Sequence, residues 1–271
     1  MKTRVIAAAV LLPLLLVVVL VLPNVFMTVL VGIVAAVAAY ELLWGTGLVK
    51  NPRLVAYSAL MALLTALWSG YGKSYPVALI SVLLFTLVLG TEMLIANLKL
   101  RFEKVMICVA GGLLIPFLLS ALVRLHSGDN GRAVVMIPFV LAFLSDSGAY
   151  FVGCAFGKHK LAPQISPKKS VEGVIGGVLG AVIGALIYCL VLDLAFGFYV
   201  NYFYALIYGL LGSLASVVGD LIFSVIKRQT GIKDYGNLIP GHGGALDRFD
   251  SMTLVAPLVE ALMLLIPLVE R

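Results

Sequence analysis

Charged residues are scarce in this sequence. Lys, Arg, Asp and Glu together make up 12% of its 271 residues, whereas 62% are hydrophobic, and the mean hydropathy is +1.12. These values lie far outside the usual range of soluble globular domains, and no polar stretch is long enough to fold as one. The composition therefore excludes a soluble protein and predicts a single integral membrane domain over residues 1–271, an all-α bundle of spanning helices.

Cysteine is rare as well, and two common catalytic patterns are missing. The three cysteines lie in apolar runs without the spacing of metal ligands, which argues against a disulfide or a zinc site. We expect Cys108, Cys154 and Cys189 to be small core residues. No Walker-type glycine loop occurs, and no serine nucleophile has a His and a carboxylate beside it. Any transfer chemistry would then proceed most simply by direct attack of a substrate oxygen.

Long apolar runs account for most of the chain. A spanning helix needs about 20 apolar residues, and nine segments qualify. The first follows Lys2 and Arg4, as a secretory signal would, but it is long and lacks a small-residue cleavage site, so we predict a span. The turn at Pro23 and Asn24 is tight, and a re-entrant pair is the alternative there. The nine predicted spans lie near residues 4–22, 25–46, 54–70, 76–96, 105–125, 133–154, 173–195, 201–226 and 251–269.

Positive charges are distributed unevenly over the predicted loops. Fifteen of the 19 Lys and Arg residues fall on the side of the amino terminus, and four fall on the other side. Basic residues concentrate in cytoplasmic loops of membrane proteins. The pattern predicts an odd number of crossings of the inner membrane, with the amino terminus in the cytoplasm and the carboxy terminus outside.

Two aspartates lie inside predicted spans, where a carboxylate costs roughly 2.5 to 3.5 kcal/mol on insertion scales. These are Asp146 and Asp220. On a helix, Ser216, Asp220, Ser224 and Lys227 fall on one face and form a polar stripe. A polar contact between helices is the structural alternative to a functional role. Three other acidic residues near the ends of spans are expected to be interfacial and receive no role: Glu41, Glu92 and Asp193.

The loop "GKHKLAPQISPKKSVEG" at 157–173 is rich in lysine. Lys168, Lys169 and Ser170 precede a helix predicted to start near Val171. Ammonium groups and free amides at the start of a helix favour a bound anion such as phosphate. A lipid-headgroup anchor is an equally good interpretation of this loop alone. In the span that follows, glycines four residues apart predict close packing on a neighbouring helix: Gly176, Gly180 and Gly184.

The stretch "KRQTGIKDYGNLIPGHGGALDRFD" at 227–250 gathers four cations, three carboxylates and His242. Carboxylates among cations favour a divalent metal that bridges the protein to a polyphosphate. Its glycine-rich run allows a backbone to approach a ligand closely, although "HGG" alone is more typical of an ordinary turn. Together with the two intramembrane aspartates, the stretch predicts metal-assisted phosphoryl or nucleotidyl transfer between a soluble nucleotide and a lipid.

The segment Ser224–Asp250 resembles the signature of the phosphatidate cytidylyltransferases, also called CDP-diacylglycerol synthases. The shared elements are a Ser, Lys-Arg three residues on, Lys-Asp after a gap of four, His-Gly-Gly, and Asp-Arg-x-Asp. The segment "DSGAYFVGCAFGKHKLAPQISPKKSVEG" at 146–173 is similar to a second block of that family. The motifs lie in residues 133–271, and residues 1–132 supply the amino-terminal spanning helices. Four positions depart from the family pattern: Cys154, Val171, Phe223 and Ala245.

The resemblance implies transfer of CMP from CTP to phosphatidate, with CDP-diacylglycerol and pyrophosphate as products. It implies Mg²⁺, with room for a second cation, and no nucleic-acid partner. The metal would be held by Asp220 and Asp247, with Asp146 and Asp250 completing or supporting the site. His242 would act as a proton or hydrogen-bond partner or would only shape its loop. The phosphates would be bound by Lys168, Lys169, Lys227, Arg228, Lys233 and Arg248, and further substrate contacts would come from Ser166, Ser170, Glu172 and Asp234.

Two other functions are compatible with parts of the sequence. A CTP-dependent polyprenol kinase would also use CTP beside a membrane, but the complete signature argues against it. A cation or lipid transporter would also carry intramembrane aspartates, yet it would place them near the middle of the bilayer. Here the charges concentrate at one face, which favours the enzyme. The glycine faces can pack within a protomer or between the two protomers of a homodimer.

Overall fold

The computed structural model describes residue 9 and residues 13–71, 75–238 and 243–270. The chain divides into two compact units. Unit 1 contains the described residues up to Ser127 together with Gln229–Phe249, and unit 2 contains Gly128–Arg228 and the described residues from Asp250 onward. The signature segment Ser224–Asp250 is therefore shared, because its two ends belong to unit 2 and its middle belongs to unit 1.

Unit 1 is built from the amino-terminal helices. Residues 13–20 are helical, and the chain breaks at Pro23 before the next helix, as the sequence predicted. Two helices continue into wider π-helical turns, at Glu41–Gly45 and Ala110–Leu114. The helices of unit 1 are α1 Asn24–Tyr40, α2 Pro52–Ser69, α3 Tyr75–Ile95, α4 Phe102–Val109, α5 Ile115–Leu119, α6 Ala121–Ser127 and, from the later segment, α11 Leu246–Phe249.

Small residues bring the first two helices of unit 1 together. Ala35 and Ala39 of α1 form a buried cluster with Ala62 of α2. Membrane helices gain little from hydrophobic burial against each other, so close backbone approach and dispersion hold them together. The start of α2 is set locally, because Pro52 occupies its first turn and the side chain of Asn51 accepts a hydrogen bond from the backbone N–H of Arg53 at 3.0 Å.

Unit 2 contains the longest helices and two short antiparallel strand pairs. Strand β1 pairs with β2, and β3 pairs with β4. The sequence predicted neither pair, although the predicted helix start near Val171 is confirmed. The elements of unit 2 are α7 Gly131–Val134, α8 Met136–Phe156, β1 Lys160–Ala162, β2 Ser166–Ser170, α9 Val171–Phe196, β3 Tyr199–Val200, α10 Tyr202–Gln229, α12 Met252–Leu265 and β4 Val269–Glu270.

The glycines of α9 pack against α8, as their spacing predicted. A Cβ added at Gly177 would lie 3.1 Å from the carbonyl oxygen of Ser145, and one at Gly184 would collide with Leu144. The hydroxyl of Ser145 also meets that of Ser213 in α10 at 2.7 Å. The glycines therefore serve packing within unit 2.

The predicted all-α membrane architecture is confirmed, whereas the count of nine spans is not. Seven helices in the described part of the chain are long and apolar enough to cross a membrane: Asn24–Gly45, Pro52–Ser69, Tyr75–Ile95, Phe102–Ser127, Gly131–Phe156, Val171–Phe196 and Tyr202–Gln229. Most of the first predicted span lies outside the described residues. The last predicted span contains α12, whose 14 residues extend about 21 Å at 1.5 Å each, less than the hydrocarbon core of about 30 Å.

The cysteine prediction was correct for two positions and wrong for the third. All three cysteines are free; Cys108 and Cys189 are buried, whereas Cys154 is exposed near the end of α8. Helix α8 carries Cys154 on its outer face, because the glycines of α9 pack against a different face. The apolar character of the surrounding run did not indicate which face would be covered.

Candidate active site

The predicted polar stripe of α10 is present and is covered by protein. Ser216, Ser224 and Lys227 are buried, and Asp220 is partly buried. The hydroxyl of Ser224 donates a hydrogen bond to Oδ1 of Asp220 at 3.1 Å. This face of the helix therefore carries a carboxylate and an ammonium group into a protein environment rather than toward lipid.

Asp220 forms an ion pair with Lys169 of the β1–β2 hairpin, the lysine-rich hairpin of unit 2. Its Oδ2 lies 2.6 Å from Nζ of Lys169, and the two side chains are 31% and 24% exposed. Lys169 lies in β2, where side chains alternate between the two faces. The neighbouring Lys168 is exposed. Of the two adjacent lysines, one therefore pairs with the intramembrane carboxylate, and the other remains at the surface.

A second carboxylate, Asp250, lies close to Asp220. It is 9% exposed, and its Oδ1 accepts a hydrogen bond from the backbone N–H of Ser251 at 2.8 Å. Asp250 and Ser251 form a turn. Helix α10 approaches this turn at Gly219, where an added Cβ would lie 3.0 Å from the carbonyl oxygen of Asp250. The absence of a side chain at Gly219 therefore lets the helix with Asp220 pack directly on the turn with Asp250.

Burial and like charge alter the titration of Asp250. Burial, reinforced by the negative charge of Asp220, raises the pKa of Asp250 to about 7. Lys227 opposes this shift, and Asp146 adds to it. The three carboxylates and Lys227 therefore interact electrostatically in unit 2, and Asp220 also pairs with Lys169.

We expect the thermal stability of the metal-free protein to fall as the pH rises from about 5 to about 8. The raised pKa means that the folded state holds the proton of Asp250 more tightly than the unfolded state does. The corresponding stabilisation is complete at low pH and is lost as the pH rises through about 7. Unfolding temperatures in detergent with a chelator would measure this slope. Asp250→Asn should flatten it, and an unchanged slope in that variant would contradict the assignment.

Three polar side chains, Ser170, Glu172 and Arg228, hold the hairpin β1–β2 in place. The hydroxyl of Ser170 accepts the backbone N–H of Gly173 at 3.1 Å and caps α9. Glu172 accepts the backbone N–H of His159 at 3.2 Å and meets its ring Nδ1 at 2.6 Å. Arg228 donates from Nε to the carbonyl oxygen of Ile165 at 3.0 Å. Ser170, Glu172 and Arg228, all predicted to contact substrate, thus support the loop in this structure.

In unit 1, Asp247 organises the loop between α10 and α11, of which the structure describes residues 230–238 and 243–245 and which is called the signature loop below. Its Oδ2 accepts the backbone N–H groups of Tyr235 at 2.8 Å and of Gly244 at 3.0 Å. Gly243 has φ of +86°, and a Cβ there would lie 2.9 Å from the same oxygen, so glycine fits both the backbone and the space. Asp247 is therefore a buried side chain that holds the turn leading into α11.

The remaining predicted residues are exposed, partly buried or outside the described part of the chain. Ser166 begins β2 opposite Ala162 and is partly buried. Asp146 lies in α8 with an exposed side chain. His242 lies outside the described residues. Three predicted substrate contacts in unit 1 are exposed: Lys233, Asp234 and Arg248.

The carboxylates of unit 2 fit a divalent cation that is only partly coordinated by protein. Among the described residues, no group of three or more His, Cys, Asp or Glu side chains is placed to hold a metal ion. Magnesium, however, is usually bound through one or two carboxylates and completes its shell with water and substrate phosphates. Asp220 and Asp250 supply such a pair. Burial, followed by the negative charge of Asp220, raises the pKa of Asp250, and a bound cation would offset that negative charge.

One buried carboxylate near the signature loop had been assigned no role from the sequence. Glu41 was expected to be interfacial, but it is buried and accepts backbone hydrogen bonds from the start of α11. The expectation was wrong because described residues of the signature loop and of α11 cover the end of α1. The only sequence feature that could have indicated this role was the presence of an acidic residue near the end of an apolar run.

Comparison with known proteins shows the family of the chain. A sequence model described as the Cytidylyltransferase family matches residues 2–266. The chain is 40% identical over 271 residues to the phosphatidate cytidylyltransferase of Pseudomonas aeruginosa, covering 97% of each chain. It is 34% identical over 247 residues to the enzyme of that name from Bacillus subtilis, covering 88% of each. The chain therefore belongs to the Cytidylyltransferase family.

Proposed function

We propose that this protein transfers CMP from CTP to phosphatidate, giving CDP-diacylglycerol and pyrophosphate. The observation that carries the proposal is the Lys169–Asp220 pair beside the buried Asp250, since an ammonium group is suited to bind phosphate and carboxylates are suited to bind a divalent metal. Membership of the Cytidylyltransferase family and the names of the relatives support the same reaction.

The reaction needs no covalent intermediate on the protein. A phosphate oxygen of phosphatidate attacks the α-phosphorus of CTP, a new P–O bond forms, and the bond to the bridging oxygen of the β-phosphate breaks. Pyrophosphate leaves with that oxygen. The second pKa of a phosphate monoester is about 6, so the attacking oxygen is already deprotonated near neutral pH. The protein must align the two phosphates and offset their charge.

Magnesium would be held by Asp220 and Asp250, with Asp146 in support. When bound, it would neutralise charge on the nucleotide phosphates and polarise a phosphoryl oxygen. The family resemblance assigns Asp247 to the metal as well, and a second cation remains part of the proposal. Lys169 and Lys227 lie beside the carboxylates, and their ammonium groups would shift from carboxylate to phosphate when CTP enters.

The soluble substrate supports an orientation in the membrane. CTP is a cytoplasmic nucleotide, so the lysine-rich hairpin and the signature loop would face the cytoplasm. The excess of Lys and Arg on the side of the amino terminus supports this orientation. An inner-membrane location and an external carboxy terminus complete the topology that we propose.

Labelled CTP distinguishes the proposed transfer from kinase chemistry. Purified protein in detergent would be incubated with phosphatidate, Mg²⁺ and CTP that is labelled at the α- or the γ-phosphate. We expect the α-label in the lipid fraction and the γ-label in pyrophosphate. Transfer of the γ-label to lipid would show that the protein is a kinase instead, and a chelator should stop the reaction.

Lys168→Ala should raise the KM for CTP more than it lowers kcat. Lys168 is exposed beside the paired Lys169, so it would contribute general attraction for phosphate rather than contacts unique to the transition state. Steady-state kinetics would measure both constants. The matched control is Lys160→Ala in β1 of the same hairpin, which should change neither constant more than about twofold. A selective loss of kcat in Lys168→Ala would contradict this role.

A further inference from the structure

Glu41 is a buried carboxylate at the junction of α1 and its π-helical extension. It is 4% exposed. Its Oε1 accepts the backbone N–H of Ala245 at 3.0 Å, and its Oε2 accepts that of Leu246 at 2.8 Å. A buried carboxylate is costly unless its charge is compensated. Within the described residues, these two amides are its hydrogen-bond partners, and no Lys or Arg forms an ion pair with it.

The signature loop is shaped around this carboxylate. A Cβ at Gly236 would lie 2.5 Å from Oε1 of Glu41, and a Cβ at Gly244 would also collide with the carboxylate. A few residues further along the π-helical turn, a Cβ at Gly45 would lie 2.5 Å from the carbonyl oxygen of Tyr235. Isolated π-helical turns are frequent at functional sites. Here the π-helical turn contacts the signature loop at two positions, Glu41 and Gly45.

Glu41 and Asp247 divide three successive amides of this loop between them. Asp247 accepts the N–H of Gly244, and Glu41 accepts those of Ala245 and Leu246. These amides lie at and just before the first turn of α11, where backbone N–H groups have no partner within the helix. The two carboxylates together therefore determine the position of the short helix that carries Asp247 and Arg248.

We propose that Glu41 is a positioning residue for the transfer reaction, which holds the first turn of α11 so that Asp247 and Arg248 keep a fixed orientation. The inference rests on the proposed function, because the catalytic roles of Asp247 and Arg248 belong to that reaction. Both carboxylate oxygens are needed, since each accepts a different amide. A glutamine offers only one acceptor, and its NH₂ group would face an N–H donor.

Replacement of Glu41 by Gln should lower kcat about 10- to 100-fold, because small displacements of aligned groups are costly in rate. The KM for CTP should change less than about threefold. The matched control is Glu92→Gln, since Glu92 lies in α3 of the same unit and pairs with the exposed Arg53 at 3.8 Å. That variant should keep kcat within about twofold. Gly236→Ala disturbs the contact from the loop side and should have the same effect as Glu41→Gln.

Hydrogen exchange gives a readout that does not depend on activity. In the wild-type protein, the amides of Ala245 and Leu246 should be protected. Mass spectrometry of a peptide covering residues 243–249 should show faster exchange in Glu41→Gln and unchanged exchange in Glu92→Gln. If Glu41→Gln fails to fold, Gly236→Ala provides the same measurement. In the double variant Glu41→Gln/Gly236→Ala, the fold-decrease in kcat should be smaller than the product of the two single fold-decreases, because both changes break the same contact.

Two outcomes would overturn the proposal. Unchanged exchange in Glu41→Gln would show that the carboxylate does not hold these amides, and faster exchange with a normal kcat would show that the anchor does not serve the reaction. Failure of the proposed function looks different, because the wild-type protein would then transfer no α-label from CTP to phosphatidate while the exchange results stayed as expected.

Discussion

Asp220→Asn should lower kcat at least about 10³-fold while the protein stays folded in detergent. Asparagine keeps the size of the side chain and an oxygen that can accept the hydroxyl of Ser224, which lies 3.1 Å away in the structure. It loses the negative charge that pairs with Lys169 and that would hold a cation. The substitution therefore removes the charge with little change in packing.

The matched control for this prediction is Asp193→Asn. Asp193 lies near the end of α9 in the same unit and accepts the hydroxyl of Tyr202 at 2.9 Å. Its loss should leave kcat within about twofold of wild type. Both variants would be assayed with CTP and phosphatidate over a range of Mg²⁺ concentrations, with unfolding temperature as the measure of folding. Near-normal turnover in Asp220→Asn would remove Asp220 from the proposed site.

Asp247→Asn is the second substitution with a large expected effect, and it separates two roles for one side chain. The structure gives Asp247 a local role, since its Oδ2 accepts the amides of Tyr235 and Gly244. The family resemblance adds a role in metal binding. Asparagine can still present an oxygen to these amides, so the loop should persist, whereas a ligand to a cation would lose its charge. We expect kcat to fall at least about 10²-fold.

A comparison with Asp247→Ala completes the test. Alanine removes both the charge and the acceptor, so it should also accelerate hydrogen exchange over residues 243–249, which Asp247→Asn should leave nearly unchanged. If Asp247→Asn retains near-normal kcat and only Asp247→Ala is inactive, the side chain serves the loop alone. Near-normal activity of both Asp220→Asn and Asp247→Asn would reject the proposed metal site altogether.

Much of the architecture was predictable because it depends on local composition. Apolar runs of spanning length predicted the long helices, and Pro23 and Val171 marked a break and a start that the structure confirms. Each of these features requires only residues close together in the chain. The count of spans was harder, because α12 is apolar and yet only 14 residues long, and hydropathy does not report where a helix ends.

The structure brings several of the predicted site residues together, but the sequence did not indicate how they would pair. The helical period placed Ser224 and Asp220 on one face of α10, and their hydrogen bond follows from that spacing. The same period could not show that Asp220 pairs with Lys169 rather than Lys168. That choice depends on the pairing of β1 with β2, which sets the direction of side chains in the hairpin.

The sequence by itself determined that this is a membrane protein, which residues carry charge into it, and to which family the signature belongs. These properties depend on composition and on spacing along the chain. Only the tertiary structure showed that Glu41, 204 residues before Ala245, supports the signature loop. A local pattern describes which face of a helix is polar, but it carries no information about the distant segment that meets that face. The role of a buried carboxylate is decided by the partner that compensates its charge, and folding brings that partner to it.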